Sequence, residues 1–274
     1  MLQPTVSPDE VGIDADRLAR IDALTHRYVD EGRFPCVQFL LSRRGEIVHH
    51  DLYGHADIDE QRPIREDSIY RIYSMTKPVT SVALMMLYEQ GRVLLEDPVA
   101  AYLPSFADGR VYVGGDETTM QTREVTRPMT VHDVLRHTAG LTYGFQHQHP
   151  IDALYRQHHI GDFTPSPRSL TEEMDLLGTL PLQFDPGSRW CYSMSTDVVG
   201  AIVEAITGQS LDEVFRTTIF EPLGMVDTMF AVTDEDRQDR LTTNYLYYDG
   251  RTSVMDPWAR SIYRRPPATL SGGG

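Results

Sequence analysis

Cysteine is nearly absent. Cys36 and Cys191 are the only two in 274 residues and lie far apart, so the disulfide framework that holds small secreted domains together is not indicated. Positive charge is also scarce: 25 Lys and Arg stand against 40 Asp and Glu, a net charge of −15. That balance excludes the clustered basic surface with which nucleic acids and anionic membranes are held. No stretch reaches the roughly 20 consecutive apolar residues that cross a bilayer. Met1-Leu2-Gln3-Pro4-Thr5-Val6-Ser7-Pro8 lacks the basic start and apolar core of a secretory signal. Low-complexity tracts and internal repeats are missing too. The expectation is a folded, cytoplasmic protein with no nucleic-acid or membrane partner, its oligomeric state unknown. A secreted form whose signal has been removed would read the same way.

What is present is a chain 41% hydrophobic, long enough to bury a large core in one big domain or two. Leu18, Ile21, Leu24 and Tyr28 recur at helical spacing between Asp14 and Asp30, with Gly32 as the stop. Cys36 to Leu41 and Ile47 to Tyr53 read as two strands joined by the turn Arg43-Arg44-Gly45-Glu46. Ser74 to Gln90 reads as a helix apolar on nearly all sides and therefore buried, closed by Gly91. From Glu96 to about Leu180 the pattern is irregular, apart from a short helix from Val131 to Arg136 capped by Thr130 with Asp133. Helices are expected again over Ser195–Thr207, ended by Gly208, and over Leu211–Ile219. After Pro222 the chain reads as loop-rich.

The chemistry begins at Ser74-Met75-Thr76-Lys77. Residues three apart at the start of a helix share a face, which places a hydroxyl beside an amine. A bare Ser-x-x-Lys is mostly a capped helix with its lysine in water. Here the helix that follows is apolar all round, so Lys77 starts inside the protein. Burial and the positive helix end both disfavour the ammonium and favour the neutral amine that a general base needs. The same N-terminal amides can donate to a developing oxyanion.

A second stretch sharpens this. Phe184-Asp185-Pro186-Gly187, then Trp190-Cys191-Tyr192-Ser193-Met194-Ser195 and an apolar helix closed by Thr207-Gly208, resembles the second motif of serine β-lactamase-like hydrolases. That superfamily joins class C β-lactamases, D-alanyl-D-alanine peptidases and family VIII carboxylesterases. Tyr70 to Lys77, Leu95-Glu96-Asp97-Pro98-Val99, and Val131 through His137-Thr138-Ala139-Gly140-Leu141 are similar to it as well, in the right order.

The resemblance implies an α+β, β-lactamase-like fold: an antiparallel sheet flanked by helices, plus a mostly helical inserted domain, with the active site at their junction. Domain boundaries are expected at 1–95 for the first part of the α/β domain, 96–230 for the helical domain and 231–274 for a return toward the α/β domain. It implies Ser74 as acylated nucleophile, Lys77 as its activating partner and Tyr192 as the phenol that shuttles protons, with Tyr73, Ser193 and Met194 lining the substrate cleft. An adjacent ammonium would stabilise the Tyr192 phenolate, and whether Lys77 or Tyr192 takes the first proton stays open. No cofactor or metal is implied; the partner is a small-molecule ester or amide.

One position departs from the pattern. Class C β-lactamases typically carry asparagine two residues after the tyrosine, where its amide holds the β-lactam side chain. Met194 offers only a weak sulfur acceptor, which favours esters over β-lactams and peptides. A non-catalytic relative and an acyltransferase are the other readings of the same residues.

The remaining candidates have plainer readings. His137 is expected to be a hydrogen-bonded scaffold residue, and His147, His149, His158 and His159 a solvated loop without a recurrent zinc pattern. Asp234-Glu235-Asp236 reads as a solvated loop and Cys191 as a small packing residue. The third motif of the superfamily, Lys-Thr-Gly or a His- or Trp-containing variant, is not found; the chain stops at Ser271-Gly272-Gly273-Gly274, which resembles the turn that precedes further strands in relatives. A chain truncated there is expected to be poorly stable and weakly active.

Overall fold

The computed structural model describes residues 3–162 and 166–274. In chain order it forms α1 (Ala15–Asp30), β1 (Cys36–Arg43), β2 (Glu46–Asp57), β3 (Arg62–Pro63), α2 (Thr76–Glu89), β4 (Arg110–Gly114) and β5 (Gln121–Glu124). These are followed by α3 (Val131–Leu135), α4 (Pro150–Gln157), α5 (Leu170–Gly178), α6 (Ser195–Thr207), α7 (Leu211–Phe215), α8 (Glu235–Gln238), β6 (Asn244–Tyr248) and β7 (Arg251–Asp256). The mixture is α+β, and the chain divides into two compact units.

The smaller unit contains the described residues up to Arg71 together with Ala231–Pro266. Its β1 and β2 pair antiparallel from Cys36↔Gly54 to Arg43↔Glu46, with a register shift between Leu41 and Ser42. Arg44 and Gly45 both have positive φ, 57° and 82°, the requirement of a two-residue turn whose twist matches the strands. Asp14 caps α1 by accepting from the Arg17 amide. Leu18 then packs with Val11 and Val48 in a small core flanked by Ile21, Phe39 and Leu41. The β6–β7 hairpin lies where loop was expected. Its residues Tyr245, Tyr247 and Val254 carry strand propensity that the surrounding prolines and glycines obscure. The Asp234-Glu235-Asp236 run is solvent-exposed but helical at its end: Asp234 caps α8 through the Asp236 amide.

The larger unit contains Ile72–Phe230, as far as described, and Pro267–Gly274. It thus groups α2 with the helical segment, whereas the boundary at 95 placed that helix with the β1–β2 hairpin. The reason is packing: Ala83, Leu84 and Leu87 of α2 share one core with Val198, Val199 and Ile202 of α6. Every residue of α6 from Ser195 to Val203 is buried, and each large aliphatic side chain removed from water contributes about 1.5–3 kcal/mol.

The α2 helix departs from expectation on one side. Thr80, Ala83, Leu84 and Leu87 are buried, but Val82, Met85 and Tyr88 are exposed, as is Met75 just before the helix, so an all-round apolar pattern is buried on one face only. The irregular stretch also holds more order than its prolines suggest, namely the β4–β5 hairpin, α4 and α5. α7 ends at Phe215 and continues as a π-turn over Arg216–Phe220. Gly200, in the middle of α6, is explained by close approach: a Cβ there would lie 3.0 Å from Leu211 and 3.4 Å from the Gly272 Cα.

Candidate active site

Ser74 sits in a short 3-10 turn, Tyr73–Met75, that leads into α2. Tyr73 has φ 41°, a left-handed conformation that a non-glycine residue adopts at a cost of about 1–3 kcal/mol and that concentrates at functional sites. The turn leaves Ser74 exposed at the head of the helix. One turn on, Lys77 Nζ lies 3.0 Å from Ser74 Oγ.

The third side chain arrives from 118 residues away. Tyr192 Oη donates to Ser74 Oγ at 2.6 Å. Its loop is laced to the segment around His137–Thr142: the Gly187 amide donates to the Thr138 carbonyl at 2.7 Å, Cys191 to His137 at 2.9 Å and Met194 to Thr142 at 3.2 Å. Gln146 Nε2 holds the Tyr192 carbonyl. The Tyr192 ring is packed by His137 at 5.1 Å, Tyr143 at 5.3 Å and Trp190 at 6.5 Å between centroids.

Lys77 is held from several sides. Its Nζ donates to the Gly273 carbonyl at 2.6 Å and lies 4.8 Å and 5.6 Å from the ring centroids of Tyr192 and Tyr143. Each such cation–π contact is worth about 0.5–2 kcal/mol. Burial, reinforced by Lys77, pushes the His137 imidazole down to about 4, so this ring is neutral near pH 7. Burial also raises the Tyr143 phenol, with Asp197 and Tyr192 adding to it, which leaves it protonated.

Ser74, Lys77 and Tyr192 are therefore brought together. Tyr73 is exposed at the same turn. Ser193 and Met194 are not brought to the cleft. Ser193 is fully buried; its Oγ pairs with Ser195 Oγ at 2.7 Å and its amide donates to His137 Nδ1 at 3.3 Å. Met194 is 5% exposed and turned inward, its sulfur so close to Gly161 that a Cβ there would sit 2.7 Å away. Three consecutive residues at a loop-to-helix junction cannot all face one side, and the hydrogen bonds to His137 and Ser195 decide that Tyr192 does.

His149 begins α4 and accepts the Ile151 amide on Nδ1 at 3.2 Å. Among the described residues no cluster of His, Cys, Asp and Glu could hold a metal ion. Likewise, no described helix is long and apolar enough to cross a membrane. Sequence reasoning missed Tyr143, Asp197 and the Gly273 carbonyl. A lone aspartate in the first turn of an apolar helix was the one available signal, since a carboxylate is not buried without partners.

Residues 21–273 match the protein-family model described as Beta-lactamase. The chain belongs to the beta-lactamase family. It is 33% identical over 239 residues to Esterase EstB of Burkholderia gladioli, covering 86% of this chain and 58% of that protein. It is 31% identical over 236 residues to a putative D-alanyl-D-alanine carboxypeptidase of Salmonella typhimurium, covering 82% of this chain and 50% of that one. Among solved structures, EstCE1, a hydrolase with promiscuous acyltransferase activity, superposes with a TM-score of 0.78 at 27% identity, over 94% of this chain and 68% of that one. The chain thus spans about half of the length of the curated relatives it matches, 58% and 50% for these two, and its fold is the β-lactamase-like fold of that family.

Proposed function

We propose that this member of the beta-lactamase family is a serine hydrolase that cleaves a carboxylic ester through an acyl-enzyme on Ser74. The observation that carries the reading is one oxygen with two partners: Ser74 Oγ lies within hydrogen-bond distance of both Lys77 Nζ and Tyr192 Oη. A hydroxyl is a weak nucleophile until a neighbouring group takes its proton. Lys77 donates to a carbonyl that can only accept and faces two aromatic rings, surroundings that suit a cation. Tyr192, the other group within reach of Ser74 Oγ, is then the one that exchanges protons.

The cycle starts from the Tyr192 phenolate, whose own proton has gone to solvent and toward which the Ser74 hydroxyl then donates: in the acylation step Ser74 Oγ attacks the ester carbonyl carbon while its proton passes to Tyr192 Oη. The tetrahedral intermediate collapses, the C–O bond to the alcohol breaks, and the leaving alkoxide takes the proton from Tyr192. Water then attacks the acyl-serine by the reverse proton route, releasing a carboxylic acid and restoring Ser74. No step calls for a cofactor.

Esters are favoured over β-lactams because the position two after Tyr192 offers no amide: Met194 is buried in the core. The test is p-nitrophenyl butyrate against nitrocefin, with mass spectrometry after a fluorophosphonate probe. A larger kcat/KM on the ester and an adduct on Ser74 are expected. A much larger kcat/KM on nitrocefin would reassign the substrate to a β-lactam, and absence of any Ser74 adduct would point to a non-catalytic relative.

A further inference from the structure

The acyl-transfer steps above make no use of Asp197, yet it is 3% exposed inside the first turn of α6. An isolated carboxylate is costly in such a place unless it is hydrogen-bonded. Its Oδ1 accepts from Ser271 Oγ at 2.5 Å and from the Gly273 amide at 3.1 Å. Burial pushes its carboxyl up, opposed by those two donors and by the nearby Lys77.

The segment Ser271–Gly273 is consequently pinned on two sides. Asp197 of α6 holds its hydroxyl and amide, while α2 holds its carbonyls: Thr80 Oγ1 donates to the Gly272 carbonyl at 2.7 Å and Lys77 Nζ to that of Gly273 at 2.6 Å. The fit has no spare room. A Cβ on Gly272 would lie 2.5 Å from the Thr196 carbonyl, and one on Gly273 would lie 2.6 Å from Asp197 Oδ2.

We infer that Asp197 is a positioning residue for the acyl transfer proposed above, on which this inference rests: through Ser271 and the Gly273 amide it sets the Gly273 carbonyl that aims Lys77 at Ser74 Oγ. Packing alone is met along the rest of this face of α6 by Val198, Ala201 and Ile202. What the carboxylate adds is a fixed acceptor for a segment whose Ser271 hydroxyl and Gly273 amide both converge on it and whose two glycines have no side chains to anchor them.

The experiment compares Asp197→Ala, Asp197→Asn and Ser271→Ala with the wild type. It measures kcat and KM on p-nitrophenyl butyrate, the rate of Ser74 labelling by a fluorophosphonate, and the thermal melt by circular dichroism. Misplacing a reacting group by about 1 Å costs about 100-fold, so Asp197→Ala is expected to lose about that in kcat and in labelling rate with KM nearly unchanged. Asp197→Asn retains an acceptor oxygen and is expected to lose only about 3–10-fold in kcat and labelling rate, and Ser271→Ala, which removes one of the two hydrogen bonds, a similar amount.

A folded Asp197→Ala with wild-type kcat overturns the inference, as does a loss confined to KM or one that Asn does not rescue. Should the Ala variant fail to fold, wild-type kcat and labelling in Ser271→Ala overturns it. The underlying reading fails separately: Ser74→Ala and Lys77→Met would then keep wild-type turnover. If instead those two abolish turnover while Asp197→Ala does not, only the positioning role falls.

Discussion

Replacing Tyr192 with Phe removes one oxygen and little else. The Tyr192 hydroxyl has its hydrogen bond to Ser74 Oγ, at 2.6 Å. The ring keeps its contacts with His137, Tyr143 and Trp190. Lys77 keeps its bonds to Ser74 and Gly273. An exposed neutral hydrogen bond contributes a net of about 0.5–1.5 kcal/mol, so the urea midpoint should hardly move. Catalysis is another matter. A positioned proton-transfer group is worth about 10²–10⁴ in rate, which at about 1.36 kcal/mol per tenfold is a barrier increase of about 3–5 kcal/mol.

The size of that loss should depend on the leaving group. p-Nitrophenolate departs without a proton, so the aryl ester needs Tyr192 only to activate Ser74. An alkyl alkoxide needs a proton as it leaves and so needs Tyr192 twice. Stopped-flow acylation with p-nitrophenyl butyrate, and product analysis with ethyl butyrate, should give losses near the lower and upper ends of that range respectively. A loss below about tenfold on both esters, in a variant that melts like wild type, would refute Tyr192 as the proton carrier.

Lys77→Met keeps the aliphatic stem but leaves the buried Gly273 carbonyl without its donor. It is expected to abolish detectable acylation and to lower stability by about 1–3 kcal/mol in urea titration, whereas unchanged stability would mean the carbonyl finds another partner. Asp152 is fully buried and accepts from Thr142 Oγ1, Gln183 Nε2 and the amides of Gln148 and His149. Asp152→Ala should therefore cost at least about 3 kcal/mol, and a cost below about 1 kcal/mol would show the donors to be satisfied otherwise. The His137 imidazole, pushed from 6.5 down to about 4 by burial and Lys77, binds a proton in the unfolded chain before it does so in the fold. Its contribution to stability is present above pH 6.5 and is lost as pH falls toward 4. His137→Asn, which tolerates the positive φ of 58°, should flatten the difference in urea midpoint between pH 7 and pH 4.5. Parallel curves for variant and wild type would count against a neutral buried ring.

Much of the fold was legible because local rules and tertiary packing agree. Helix α6 runs over Ser195–Thr207 with Gly208 left-handed at its end, and Thr130 with Asp133 forms the capping box of α3. Both depend on neighbours a few residues apart. The pairs β4–β5 and β6–β7 were not legible. A short strand has no preference of its own until a partner supplies its hydrogen bonds, and those hairpins contain Arg, Gln and Glu as readily as Val and Tyr. The openness of Val82, Met85 and Tyr88 on α2 was equally hidden, since a helix apolar all round does not say which face meets a neighbour.

The candidate site divides in the same way. Ser74 and Lys77 were legible as neighbours from a spacing of three, while their 3.0 Å contact is also held by the tertiary bond from Lys77 to the Gly273 carbonyl. That Tyr192 joins them could be anticipated only from the resemblance of its motif. That Ser193 and Met194 turn inward while Tyr192 turns outward was decided by hydrogen bonds to His137 and Ser195. The Gly273 carbonyl and Asp197 belong wholly to tertiary structure. A backbone oxygen carries no sequence signal, and a carboxylate in an apolar helix shows only that it has partners. Which partners depends on the packing that brings residues 74, 197 and 273 together.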